Sequence, residues 1–164
     1  MPATSNATTT VTLHSDLEIL ITREFDAPRE LVFKAMTDPD LIPRWWGPRG
    51  STATVDKMDV RPGGAWRFIN GIPGGEESAF RGEYREIVPP ERIVQTFEWE
   101  PMAGHISVET ATFTERDGRT LLTNHTLFAS KEDRDGMIQS GMEKGLAETH
   151  DRFAELLVEL KKKA

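Results

Sequence analysis

The fold is decided by the stretch Phe25-Asp-Ala-Pro-Arg-Glu-Leu-Val-Phe-Lys-Ala-Met-Thr-Asp-Pro-Asp-Leu-Ile-Pro-Arg-Trp-Trp-Gly-Pro-Arg-Gly50, which combines two helix starts with a pair of tryptophans. Pro28 and Pro39 each suit a first helical turn, because the N–H groups of that turn lack intrahelical partners and proline has a fixed φ. Asp38 is a suitable N-cap for the second helix. The stretch therefore predicts two short helices in tandem, which follow an opening strand and end at the tryptophan pair.

The whole chain has 164 residues, no cysteine and a formal charge of −7. This length suits one domain with one core, so we place a flexible polar lead-in at residues 1–16 and a single domain at residues 17–164. The absence of cysteine excludes disulfides and thiolate chemistry, and the cytoplasm is the expected compartment. The acidic charge argues against nucleic-acid binding, and no apolar run is long enough for membrane insertion.

Five segments after the tryptophan pair have the alternation and the turn residues of β-strands. Short turns join them, which predicts an antiparallel meander. The tightest turn contains Asp117-Gly118, a pair that suits a two-residue type I′ hairpin because both positions need a positive φ. The predicted strands are 65–72, 78–88, 92–99, 106–115 and 120–128.

One long C-terminal helix is predicted to begin after Ser130, which precedes Asp133 by three residues in a capping arrangement. Its apolar stripe consists of Ile138, Met142, Leu146, Phe153, Leu157 and Leu160. Three glycines, at positions 136, 141 and 145, weaken its first half and could let a sheet or a ligand approach closely. A sheet curved around this helix leaves a space that either side chains or a ligand must fill.

Several motifs together resemble one known family. They are Phe25-Asp-Ala-Pro-Arg-Glu30, Thr37-Asp-Pro39, Trp45-Trp-Gly-Pro48, Asp59-Val-Arg-Pro-Gly-Gly64, Trp66-Arg-Phe68, Gly82-Glu-Tyr-Arg-Glu-Ile87 and Pro89-Pro-Glu-Arg-Ile93. In this order they are similar to the activator-of-heat-shock-protein-90-ATPase-like (AHSA1-like) family of the START-like, or SRPBCC, superfamily. The resemblance implies an α+β helix-grip fold, as in the birch-pollen allergen: a curved antiparallel sheet, two short helices after the first strand, and a long C-terminal helix packed on the sheet.

The resemblance also implies a cavity between sheet and helix, with small apolar or amphipathic molecules as guests and no metal or organic cofactor. The family's last helix commonly carries a Gly-Trp pair with a leucine four residues beyond the tryptophan, where this chain has Gly145-Leu146 and His150. Loss of the tryptophan should enlarge the space. Eukaryotic activators carry a further chaperone-docking domain, for which 164 residues leave no room, so we do not expect the chaperone role to transfer.

The candidate ligand-binding residues are the inward-facing aromatic and apolar positions together with two histidines. They are Trp46, Trp66, Phe68, Phe80, Tyr84, Phe97, Trp99, His125, Met142, Leu146 and His150. Each aromatic residue could instead belong to an ordinary core, each histidine could have only a structural role, and the tryptophan pair could gate a pocket or anchor the second helix.

Three functional hypotheses remain open at this stage. The first is ligand binding, and the second is a cyclase, dehydratase or hydrolase with His125 or His150 as base and Tyr84 as donor. The third is a module that binds a chaperone or a regulator through an exposed apolar patch. A homodimer is compatible with each. No metal site is predicted, because His14 and His105 fall in the lead-in and in a turn.

Overall fold

The computed structural model describes residues 8–163 and contains one curved antiparallel sheet of eight strands with three α-helices. This architecture confirms the predicted α+β helix-grip fold. The strands are β1 (Thr10–Leu13), β2 (Glu18–Phe25), β3 (Thr52–Met58), β4 (Ala65–Gly71), β5 (Glu77–Val88), β6 (Arg92–Trp99), β7 (Ser107–Arg116) and β8 (Arg119–Leu127). The helices are α1 (Arg29–Thr37), α2 (Lys131–Gln139) and α3 (Met142–Lys163).

The strand order β1-β2-β8-β7-β6-β5-β4-β3 explains the position of the first helices. After β2 the chain must reach β3 at the far edge of the sheet, and α1 with a following 3₁₀ turn at Ile42–Arg44 makes that crossing. The meander from β3 to β8 then leads back across the sheet toward β2, and β8 pairs with β2. Asp117 and Gly118, at the predicted hairpin, have φ values of 54° and 77°, as a type I′ turn requires.

The second predicted helix is shorter than expected, because it consists of only the single 3₁₀ turn. The prediction of Asp38 as its N-cap was wrong, because the N-cap is Leu41 and has no side-chain hydrogen bond. The Asp38 side chain instead accepts a 2.9 Å hydrogen bond from the backbone N–H of Asp40, in the turn that precedes the 3₁₀ segment. Pro28 lies at the N-cap of α1, just before its first turn.

Two strands were not predicted from the sequence, and both lie at the edges of the sheet. Strand β1 pairs with β2 over residues 10–13, so these residues belong to the sheet and not to a lead-in; residues 1–7 of that proposed lead-in lie outside the described residues. Strand β3 has a register shift between Val55 and Lys57 and a mostly exposed surface, which removes the alternation that identifies a strand.

The predicted single C-terminal helix is in fact two helices. Ser130 caps α2 by accepting a hydrogen bond of 3.1 Å from the N–H of Asp133, as expected. However, α2 ends at Gln139, and Gly141 has a φ of +85°, which a right-handed helix cannot contain. The sheet does not approach the three glycines closely, because a Cβ at Gly136, Gly141 or Gly145 would meet no atom within 4 Å. Close approach of a ligand there stays a prediction.

The main core lies at the C-terminal half of α3. There Phe153, Leu156 and Leu157 are buried against α1, the 3₁₀ turn and the sheet. The N-terminal half, from Met142 to Thr149, is only partly buried. The space between sheet and helix is therefore filled at one end and open at the other.

None of the helices in residues 8–163 has the combination of length and apolar composition that a membrane-spanning helix needs.

Candidate functional site

A partly enclosed cavity of about 520 Å³ lies between the concave face of the sheet and the N-terminal half of α3. The sheet provides the floor, α2 and α3 provide one wall, and the segment Trp45–Pro48 closes one end. This volume lies within the range of about 300–1,000 Å³ that is usual for small-molecule sites.

Nine of the eleven candidate residues line this cavity. They are Trp46, Trp66, Phe68, Phe80, Tyr84, Phe97, Met142, Leu146 and His150. The period-two pattern explains the placement of the five that lie on β4, β5 and β6, because every second residue of these strands faces the concave side. Their role in ligand binding stays a prediction.

His125 does not line the cavity, which corrects its placement as an interior polar contact. On β8 the residues that face inward are Leu122, Asn124 and Thr126, so His125 must face outward. There it bonds to the Glu18 carboxylate on β2.

Trp99 is also misplaced in the sequence-based set. It has the same parity as Gln95 and Phe97, but β6 ends at Trp99, beyond the cavity, and its side chain is 38% exposed.

The two adjacent tryptophans have different roles. Trp45 is an anchor: its Nε1–H donates a 3.1 Å hydrogen bond to the carbonyl oxygen of Ala35, and its ring packs 4.5 Å from that of Phe153. Trp46 packs edge-on against Phe68 and Phe80, at centroid distances of 5.3 and 5.1 Å. One end of the cavity is therefore an aromatic wall fixed by mutual contacts.

His150 is buried on α3, where its Nδ1 lies 2.8 Å from the hydroxyl oxygen of Thr9 and its ring packs edge-on against Phe25. Burial, with a smaller contribution from the positive charge of Arg23, lowers the pKa of His150 to about 4. Its imidazole is therefore neutral at physiological pH, and it is a weak base.

A row of polar side chains crosses the cavity floor, and of its four members only Tyr84 was a candidate from the sequence. Tyr84, Gln95, Glu109 and Thr126 lie opposite one another on strands β5, β6, β7 and β8, and all four line the cavity. Such cross-strand neighbours have Cβ atoms about 4.5–5.5 Å apart. Glu109 could have been found from the sequence, because it has the same parity as the core residue Phe113 on β7.

Burial raises the pKa of Glu109 to about 7 and also raises the pKa of Tyr84. Glu109 can therefore gain or lose a proton near neutral pH, whereas the Tyr84 hydroxyl keeps its proton and can donate. The side-chain oxygen Oδ1 of Asn124, another residue of the cavity floor, is buried without a hydrogen-bond partner. The site thus combines an aromatic wall with polar groups that are available to a guest.

Within residues 8–163, no group of three or more histidine or acidic side chains is arranged to hold a metal ion.

Residues 26–158 match the family model described as Activator of Hsp90 ATPase homolog 1-like protein. Protein Ms6760 from Mycobacterium smegmatis is 29% identical and superposes with a TM-score of 0.82, over 92% of this chain and 96% of that chain. A protein from Rhodobacter sphaeroides gives a TM-score of 0.85 at 24% identity, over 92% of this chain and 98% of that one. The AHSA1 protein from Silicibacter pomeroyi gives 0.70 at 22% identity, over 90% and 99%. No curated protein sequence matches this chain.

Proposed function

Because the chain belongs to the family of activator of Hsp90 ATPase homolog 1-like proteins, whose fold typically binds ligands in a cavity, we propose that it binds one small amphipathic molecule. The observation that carries the proposal is the cavity of about 520 Å³ beside Leu146. Burial of apolar surface there supplies the affinity, and the polar row on the floor fixes the orientation of the guest.

The size of the guest is set partly by Leu146. The resemblance implies a tryptophan at this position, and an indole there would occupy space that the leucine leaves empty. Leu146 is only partly buried and packs against the cluster of Ile19, Ile21 and Phe128, and its neighbour Gly145 adds no side chain to the wall. The chain is thus suited to a larger guest than a relative with the tryptophan.

An enzyme of the cyclase, dehydratase or hydrolase type is the second candidate, and one observation favours it. Glu109 has a pKa of about 7 and lies in the same row as the proton donor Tyr84, an arrangement that suits general acid–base catalysis. Of the two histidines first considered, His125 faces away from the cavity and His150 is a weak base. We therefore give ligand binding priority.

The most direct experiment is native mass spectrometry of the protein purified from its own host. A retained molecule would add a discrete mass to the folded protein and would be released on unfolding. Its identification would also decide between simple binding and turnover, because an enzyme would return it chemically changed.

A matched pair of variants tests the position of the site. Leu146→Trp places an indole in the cavity, whereas Val158→Trp places the same group on the exposed side of α3, where Val158 is 46% exposed. With the neutral fluorescent probe N-phenylnaphthylamine, we expect Leu146→Trp to weaken binding at least tenfold and Val158→Trp to leave it unchanged. Equal binding by both variants, or no binding by the wild type, would refute the proposed site.

A further inference from the structure

Glu109 has an unusual position for a carboxyl group. It is the third residue of β7, on the concave face, and its strand neighbours Gln95 and Thr126 are uncharged. Glu109 belongs to the cross-strand row that also contains Gln95 and Thr126. The two neighbouring rows of the cavity floor are more apolar: one contains Phe97 and the other contains Ile93. Glu109 keeps some exposed surface toward the cavity, but the cavity walls shield its carboxyl group from bulk water. A shielded carboxylate normally has a partner that compensates for the lost hydration.

No such partner is present in the cavity of the described chain. Its lining contains neither lysine nor arginine, and Glu109 is its only carboxyl group. Burial, with no contribution from a charged neighbour, accounts for the raised pKa of Glu109. Arg23, a buried arginine of the neighbouring part of the sheet, does not line the cavity and pairs with Asp151 at 2.9 Å.

A second hydrogen-bond acceptor lies close to Glu109. Asn124 is on β8, two residues before Thr126, the residue that lies opposite Glu109, so it is a diagonal cross-strand neighbour of the carboxyl group. Its Oδ1 atom is buried and has no donor. One part of the cavity floor therefore offers an anionic and a neutral acceptor together, both without a partner within residues 8–163.

We infer that the ligand carries a protonated amine, or another cationic N–H group, that binds at Glu109 and Asn124 while its apolar part packs against Trp46, Phe68 and Phe80. This inference rests on the proposed ligand-binding function and specifies the chemical class of the guest. A cationic donor would replace the hydration that Glu109 loses on folding, and a charge-assisted hydrogen bond in a partly enclosed site is stronger than a neutral one. An anionic guest would instead bring two negative charges together in a medium of low dielectric constant.

The experiment compares three probes with the same apolar chain and different head groups: octylammonium, octan-1-ol and octanoate. Each is titrated calorimetrically into the wild-type protein at pH 8, and each is also tested for displacement of N-phenylnaphthylamine. We expect octylammonium to bind at least tenfold more tightly than octanoate, with octan-1-ol between them. In Glu109→Gln the difference between octylammonium and octanoate should shrink to less than threefold.

The pH dependence gives an independent measurement that needs no variant. Octylammonium stays charged between pH 8 and pH 5.5, but Glu109 becomes protonated. The affinity of octylammonium for the wild type should therefore fall roughly 30-fold over this interval. The other titratable cavity residues, His150 and Tyr84, stay neutral because burial lowers the pKa of the first and raises that of the second. The octan-1-ol affinity should remain constant.

The outcomes separate this inference from the function on which it rests. If the fluorescent probe and all three octyl compounds fail to bind, the proposed function is wrong. If the probe binds but octanoate competes as well as octylammonium at pH 8, the cavity binds ligands and the assignment of a cationic guest is wrong. If Glu109→Gln does not fold, the ranking of head groups and the pH dependence in the wild type still decide the question.

Discussion

Replacement of Glu109 by glutamine should stabilise the protein without ligand, and only at high pH. Folding raises the pKa of Glu109 from its usual value of 4.5 to about 7. The folded state therefore holds this proton more tightly than the unfolded state, and stability is lost as the pH rises from about 4.5 through 7. Because each tenfold change in proton affinity corresponds to about 1.4 kcal/mol, the loss is at most about 3 kcal/mol. Glutamine has nearly the same shape and no charge, so it avoids this loss.

The cavity opens to water, which solvates part of the carboxylate and reduces the effect. We therefore expect Glu109→Gln to raise the free energy of unfolding by about 1–3 kcal/mol at pH 8 and by less than about 1 kcal/mol at pH 5. Urea denaturation at both pH values measures this difference, provided that the m-value is unchanged. The titration of His150 contributes equally to both proteins and cancels in the comparison.

The matched control is Glu83→Gln, which makes the same chemical change at an exposed position of β5. Its effect should be below about 0.5 kcal/mol at both pH values, as is usual for exposed substitutions. A Glu109→Gln protein that is less stable than the wild type at pH 8, or a difference that does not change with pH, would refute the reasoning. Either result would mean that Glu109 has a compensating partner in the folded protein.

Two further predictions concern the glycines and His150. A Cβ at Gly82 would lie 2.0 Å from the carbonyl oxygen of Thr96, so Gly82→Ala should destabilise the protein by more than about 3 kcal/mol in urea unfolding. Gly136 lies in open space on α2, so Gly136→Ala should stabilise the protein by about 0.5–1 kcal/mol. Similar losses in both variants would contradict this difference. Burial lowers the pKa of His150 to about 4, so the unfolded state binds a proton at this residue more readily than the folded state. Protonation of His150 therefore lowers the free energy of unfolding as the pH falls from about 6.5 to 4. His150→Gln should therefore show a smaller acid-induced loss of stability than the control His14→Gln, and equal pH profiles would show that His150 is not the residue responsible.

The sequence predicts those parts of the fold that depend on local chemistry. The hairpin at Asp117-Gly118, the cap at Ser130 and the alternation along β5 were all found, because a turn, a cap or a strand face is encoded within a few residues. The edge strand β3 was missed because its inward positions are few and a bulge interrupts their period. The helix break at Gly141 was missed because the apolar stripe continues from α2 to α3 despite the change of direction.

The sequence predicted the apolar lining of the candidate site together with Tyr84 and His150, but not Glu109 and the other polar residues of the cavity floor. Aromatic residues on alternating strand positions indicate an inner face, and those of β4 and β5 line the cavity as expected. Glu109 was not predicted, because a glutamate in a strand normally faces water. Its parity with the core residue Phe113 was the only sequence signal for the concave face, and its neighbours are visible only in the three-dimensional register. His125 was predicted to contact the ligand because a histidine within a strand is a candidate for binding or catalysis. Its position in the alternation of β8, between the inward-facing Asn124 and Thr126, instead places it on the outer face.

The two halves of α3 are packed differently and contribute differently to the protein: the C-terminal half belongs to the main core, and the N-terminal half lines the cavity. Phe153, Leu156 and Leu157 secure the fold, while Met142 and Leu146 line the cavity and pack only against the smaller cluster of Ile19, Ile21 and Phe128. Substitutions between positions 142 and 149 should therefore reshape the cavity at a smaller cost to folding than substitutions between positions 153 and 157. On a scaffold of this kind, a new specificity is accessible through single amino-acid changes, each of which leaves a foldable protein for the next.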